Sequence, residues 1–126
     1  MMAVLQATTI SGSMLLTGSL QRVNHSVSID GSYTASIDLS ESDNFIFNAS
    51  GSYAFEFVAP TSSIGQSGTI IINNTAVTDP GSLPSNAKTP DGASIIFVTS
   101  SATVNLLSYY IADNDKVLVN YIGNFA

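Results

Sequence analysis

Apolar and polar residues alternate with a period of two along most of this chain, and no stretch sustains a helical period. A period of two sends successive side chains to opposite faces, so such a segment buries one face only as a β-strand. Val23, His25, Val27 and Ile29 alternate with Asn24, Ser26, Ser28 and Asp30. Tyr33, Ala35, Ile37 and Leu39 then alternate with Thr34, Ser36, Asp38 and Ser40. Asp30-Gly31 stands between the two runs and is a hairpin-type turn signal, so they are expected to pair antiparallel.

The same punctuation continues. Ser40-Glu41-Ser42-Asp43 reads as a polar turn, followed by a strand over 44–48. After Ser50-Gly51-Ser52, Tyr53, Phe55 and Phe57 share a face, with Ala54, Glu56 and Val58 opposite. Phe45 and Phe47 are expected to meet those aromatics across the sheet and help set register. Thr69-Ile70-Ile71-Ile72-Asn73 is apolar on both faces and is expected to be central. Residues 73–94 hold Pro80, Gly81, Pro84, Pro90 and Gly92 and read as a long loop, functional or draped over a neighbour. A buried strand is expected over 94–99. A hairpin over 104–111 and 116–122 turns at Ala112-Asp113-Asn114-Asp115. In its second arm Val117, Val119 and Tyr121 point one way and Leu118, Asn120 and Ile122 the other.

Eight or nine short strands predict an all-β fold, an antiparallel sandwich or jelly-roll-like barrel with an N-terminal arm. The chain of 126 residues suits a single β domain over 23–126, preceded by an arm or edge strands over 1–22. That first segment carries no charge before Arg22 and could add a strand to a neighbour's sheet. Gly-Ser pairs recur at 12–13, 18–19, 31–32, 51–52 and 81–82, but their uneven spacing predicts no solenoid.

Charged residues make up only 10% of the chain, against 44% hydrophobic, so polarity comes from Ser, Thr, Asn and Gly. Few charges need desolvation when such a surface meets another subunit. Nine acids against Arg22, Lys88 and Lys116 give a net charge of −6, which argues against binding a phosphate backbone. No apolar run is long enough for a membrane helix, and Met1-Met2-Ala3-Val4-Leu5 lacks the basic start of a leader. Neither a membrane nor a nucleic-acid partner is expected. Asn24-His25-Ser26, Asn48-Ala49-Ser50 and Asn73-Asn74-Thr75 match the glycosylation pattern by chance in so Asn/Ser/Thr-rich a chain.

Catalytic constellations do not assemble from these residues. His25, the single histidine, has no nucleophile or orienting acid at a telling spacing and reads as structural or interfacial. Glu41, Asp43 and Glu56 make no convincing pair of glycosidase carboxylates. Asp113-Asn114-Asp115 lacks the further ligands of a calcium loop and reads as a turn. Gly65-Gln66-Ser67-Gly68 lacks the Lys of a phosphate loop and precedes a strand, so its glycines are expected to serve a bulge or tight turn. No cysteine is present for disulfides or thiolate metal sites. The expectation is a non-enzyme without metal or cofactor. Tyr109, Tyr110 and Tyr121 are candidates for stacking on a sugar or anchoring an interface. Alternation separates Tyr109 from Tyr110, placing one in the core. The candidate assembly interface comprises Val4, Leu5, Ile10, Met14, Leu15, Leu16 and Leu20 of the arm, with Leu83, Pro84, Tyr110, Tyr121 and Phe125.

Asn44-Phe45, Gly65-Gln66-Ser67-Gly68-Thr69-Ile70-Ile71-Ile72, Leu107-Ser108-Tyr109-Tyr110 and Asn120-Tyr121-Ile122-Gly123-Asn124-Phe125 follow one another in that order. The series resembles a β-rich module of virion structural and fibre-like proteins of tailed bacteriophages, notably those of cyanobacteria and marine bacteria. It covers roughly residues 40–126. Such modules often carry a Trp in the central connection, where this chain has Leu83-Pro84 and Lys88-Thr89-Pro90-Asp91-Gly92. The resemblance implies a particle protein on the virion exterior, commonly a homotrimer, with no catalytic residues to transfer. A capsid decoration (cement) protein bound to the major capsid protein or other virion proteins is the first expectation. A short tail fibre or fibre tip is the second, and a carbohydrate-binding module meeting a host surface glycan the third.

Overall fold

The computed structural model describes residues 11–12, 24–29 and 33–126. Seven strands form among them: β1 (Asn24–Val27), β2 (Thr34–Asp38), β3 (Asn44–Val58), β4 (Ser67–Pro80), β5 (Ala87–Lys88), β6 (Thr103–Asp113) and β7 (Lys116–Phe125). One sheet runs β1-β3-β4-β6-β7-β5, while β2 lies beside the second half of β3. The fold is all-β with packed strands, as the alternation predicts.

Pairing direction differs between the two halves. The β4-β6 and β6-β7 pairs are antiparallel, and the expected 104–122 hairpin is present. The β1-β3, β2-β3 and β3-β4 pairs are parallel. The expected hairpin between 23–29 and 33–39 does not form: β1 and β2 each align with β3, and they meet at one isolated bridge, Ile29 to Ala35. In both alignments the partner lies twenty positions on, Asn24 opposite Asn44 and Thr34 opposite Ala54. β1 and β2 thus stack on successive halves of β3, with β4 as the next rung. Side-chain alternation is the same in either strand direction, so it does not report this arrangement.

The β3 rung turns a corner. β3 shifts register between Ala49 and Gly51, and Gly51 takes φ +66°, a left-handed conformation that side chains disfavour. The bend folds the strand onto itself, so Phe45, Phe47 and Ala49 before it and Tyr53, Phe55 and Phe57 after it line one core. Phe47 meets Tyr53 edge-on across this corner, ring centroids 4.9 Å apart. The expected aromatic contact therefore exists, but within one bent strand. Opposite, Ile70, Ile72, Leu107, Ile111 and Val117 are fully buried. Each such side chain adds about 1.5–3 kcal/mol through burial.

Two loop expectations are corrected. β4 continues to Pro80, so the irregular stretch begins later than residue 73. Residues 94–99 form no strand, and Ile96 is 85% exposed. Phe97 is buried, packing between Phe55 and Tyr121, and Ile95 packs partly against the core.

Burial, reinforced by Tyr121, pushes the Tyr53 hydroxyl well above its ordinary value. Burial likewise raises Tyr109, against a hydrogen bond from Gln66 that lowers it. Above about pH 10 the unfolded chain loses these phenolic protons while the folded chain keeps them. Stability is therefore level below that pH and falls as pH rises through the folded values. Urea unfolding between pH 8 and about pH 11 should show the decline, and Tyr53→Phe should flatten it. A slope identical in the variant would disprove Tyr53's part.

Candidate assembly face

The outer face of the main sheet is built by the positions that alternation turns away from the core. Register arranges them in rows across the strands. Ser26, Ile46, Ile71, Leu106 and Ile122 form one row. Asn24, Asn44, Thr69, Ser108 and Asn120 form the next. Ser67, Tyr110 and Leu118 follow on one side. Asn48, Asn73, Val104 and Phe125 lie on the other, where Asn73 Nδ2 donates to Asn48 Oδ1. No Asp, Glu, Lys or Arg occurs in these four rows, although the chain carries a net charge of −6. Ile122 is 56% exposed and Tyr110, Leu118 and Phe125 nearly half exposed. An uncharged face with an aliphatic stripe and Asn, Ser and Thr beside it is suited to contact with another protein surface.

Buried polar clamps hold this sheet to the rest of the fold. Gln66 Nε2 donates to the carbonyls of Leu39 and Ser42 and to the Tyr109 hydroxyl, at 2.6, 2.8 and 3.0 Å. Tyr109 in turn donates to the Asp43 carbonyl at 2.7 Å. Gly65 and Gln66 exchange backbone bonds with Ile111. The two glycines of the Gly-Gln-Ser-Gly element thus serve the backbone, as expected, while the Gln66 side chain forms the clamp. Gly65 supplies a left-handed turn with φ +93°, and Gly68 permits the approach of the Asp43 carbonyl. A second clamp centres on Asn105, fully buried. Its carboxamide accepts from the Val98 amide at 3.0 Å and donates to the Val98 carbonyl at 2.9 Å. Asn74 donates to the same carbonyl, and the Tyr121 hydroxyl donates to Asn105 Oδ1. Among the described residues, every buried side-chain nitrogen and oxygen has a partner.

The candidate interface residues divide accordingly. Tyr110 lies on the outer face, and Phe125 sits opposite Val104 at its margin. Tyr121 and Leu83 instead pack against the core. Pro84 is half-buried, and its carbonyl accepts from the Ala87 amide. Tyr109 is the inward member of its pair, as alternation requires. Val4, Leu5, Ile10, Met14, Leu15, Leu16 and Leu20 lie outside the described residues. The aliphatic row Ile46, Ile71, Leu106 and Ile122 was not among the candidates. Its signal is present in the sequence, as apolar residues at positions opposite in parity to the core.

His25 sits on the edge strand with its ring edge-on to Phe45 and Nε2 2.6 Å from Glu41 Oε2. Asp113-Asn114-Asp115 makes the β6-β7 turn, where the Asn114 amide donates to Asp113 Oδ1. No protein-family model matches this chain, and neither a curated protein nor a solved structure shows significant similarity to it.

Proposed function

We propose that this protein is an assembly subunit on the exterior of a tailed-phage particle, a homotrimeric capsid decoration protein that stabilises the head by binding its major capsid protein. The observation that carries the assembly reading is the uncharged outer sheet face of an otherwise acidic chain. Copies with a net charge of −6 repel at most approaches, and this face lets two surfaces meet without stranding a charge. Contacts made only in the assembled shell would stabilise it by mass action. The phage setting comes from the sequence resemblance, and the acidic surface favours the outside of a particle over a DNA-facing interior.

A short tail fibre is the second reading, favoured by the parallel rungs twenty residues apart. Stacking of this kind extends by repetition along one axis.

Light scattering is expected to give the mass of a trimer, and Ile71→Glu in the aliphatic row is expected to give a monomer with unchanged circular dichroism. A monomeric parent at all concentrations, or a trimer indifferent to Ile71→Glu, would count against the face. Cryo-electron microscopy of the particle then places the trimer. Density on the head lattice supports decoration, and density confined to the tail transfers the protein to the fibre reading.

A further inference from the structure

At the end of the outer face away from Phe125, the surface is hollowed rather than flat. A groove of about 440 Å³ opens between β6-β7 and a strap formed by β5 and the 3-10 turn Pro90–Gly92. Its size lies within the ~300–1,000 Å³ typical of ligand clefts. Tyr110, 47% exposed, and Leu118 supply an aromatic and aliphatic surface, faced by Pro90. Ser108 and Asn120 add a hydroxyl and a carboxamide, and Lys88 supplies an ammonium.

The strap is preformed. β5 pairs with β7 through Ala87-Val117 and Lys88-Leu118. Thr89 ties its hydroxyl to the Ala93 carbonyl at 2.6 Å, while Gly92 and Ala93 donate back to Thr89 and Pro90. Lys88 Nζ donates to the Ser85 carbonyl at 2.7 Å, which leaves two of its three N–H groups for a ligand. No carboxylate among the described residues is paired with it.

We infer that this groove binds a carboxylated saccharide. A pyranose ring presents an apolar C–H face, which the Tyr110 ring can cover, and equatorial hydroxyls within the chemistry of Ser108 and Asn120. Lys88 selects for the carboxylate, as one of only three cationic side chains in a chain whose net charge would repel an anion elsewhere. Of the other sugar-stacking candidates, Tyr121 does not line the groove, and Tyr109 lines it but is buried with its hydroxyl engaged inside the fold, so Tyr110 is the exposed ring. Tyr110 stands four residues along β6 from Leu106, roughly 13 Å away, so the inference requires only that subunit contact through the Leu106 row leave the Tyr110 end of the face open.

The test is titration of the intact protein with a uronic-acid oligosaccharide and with its neutral counterpart of equal length, followed by calorimetry and amide chemical shifts. A Kd on the order of 1 mM is expected for the acidic sugar, as suits an open groove with few polar anchors. Tyr110→Ala and Lys88→Gln should each weaken it about tenfold, equivalent to about 1.4 kcal/mol, without moving the thermal midpoint. Equal binding of the neutral sugar would overturn the assigned ligand class. Binding untouched by Tyr110→Ala would overturn the site, and absence of binding up to about 10 mM would overturn the inference. The oligomeric state of Ile71→Glu reports separately on the assembly reading.

Discussion

Gly68→Ala is expected to lower stability by about 3 kcal/mol or more, read as the shift in the urea midpoint at unchanged slope. A methyl group at this position would stand 1.8 Å from the Asp43 carbonyl oxygen and 2.7 Å from its carbon. Both are backbone atoms, so no flexible side-chain end can yield. Asp43 is also where Tyr109 donates, and its carbonyl accepts from the Thr69 amide at 3.2 Å. Displacing it disturbs the Gln66–Tyr109 clamp and the start of the parallel β3-β4 pairing together. Gly65→Ala makes the informative comparison, because open space surrounds that position and only its left-handed backbone opposes a side chain. It should cost about 1 kcal/mol. Equal effects of the two substitutions would rule out the close approach as the cause.

Asn105→Ala is expected to cost about 2–4 kcal/mol, because it removes a donor and an acceptor from a buried site at once. The Val98 amide would keep only the Tyr121 hydroxyl at 3.2 Å, and that hydroxyl would itself lose its acceptor. The Val98 carbonyl would keep only Asn74. Phe97, the neighbour held between Phe55 and Tyr121, would lose its anchor. Hydrogen exchange should show the Val98 amide opening before the β6-β7 hairpin does. A loss below about 1 kcal/mol would mean that water replaces the carboxamide readily and that the segment is not clamped.

These clamps explain what was and was not legible in the sequence. The faces of Tyr53, Phe55 and Phe57, and of Val117, Val119 and Tyr121, follow from parity alone, and the structure keeps them. Residues 94–99 look like a strand because Ile95, Ile96, Phe97 and Val98 are β-formers. The Val98 backbone is instead satisfied by the Asn105 side chain and the Thr99 carbonyl by the Thr78 amide, tertiary interactions with no local signal. The parallel stack was partly written in the sequence: Asn24 recurs as Asn44, and Gly31-Ser32-Tyr33 as Gly51-Ser52-Tyr53, each twenty positions on. Other Gly-Ser pairs at uneven distances mask that interval. The outer face is not legible in the sequence for a different reason. Ile46, Ile71, Leu106 and Ile122 are far apart in the chain, and only register brings them into one row.

The short interval between rungs also governs the entropy of chain closure. Joining β1 or β2 to β3 closes a loop set by twenty positions in both cases, and β3 meets β4 first at an interval of twenty-five. Closure entropy grows only by about 0.6 kcal/mol for each doubling of loop length. A stack that lengthens by similar short intervals therefore meets nearly the same penalty at every addition, whereas joining distant ends of a sheet meets a rising one. The widest closure in the main sheet is made once, where Ser67 reaches Tyr110 and the antiparallel hairpin takes over from the rungs. Chain length in this architecture is thus limited less by the search for partners than by how the stack is brought to an end.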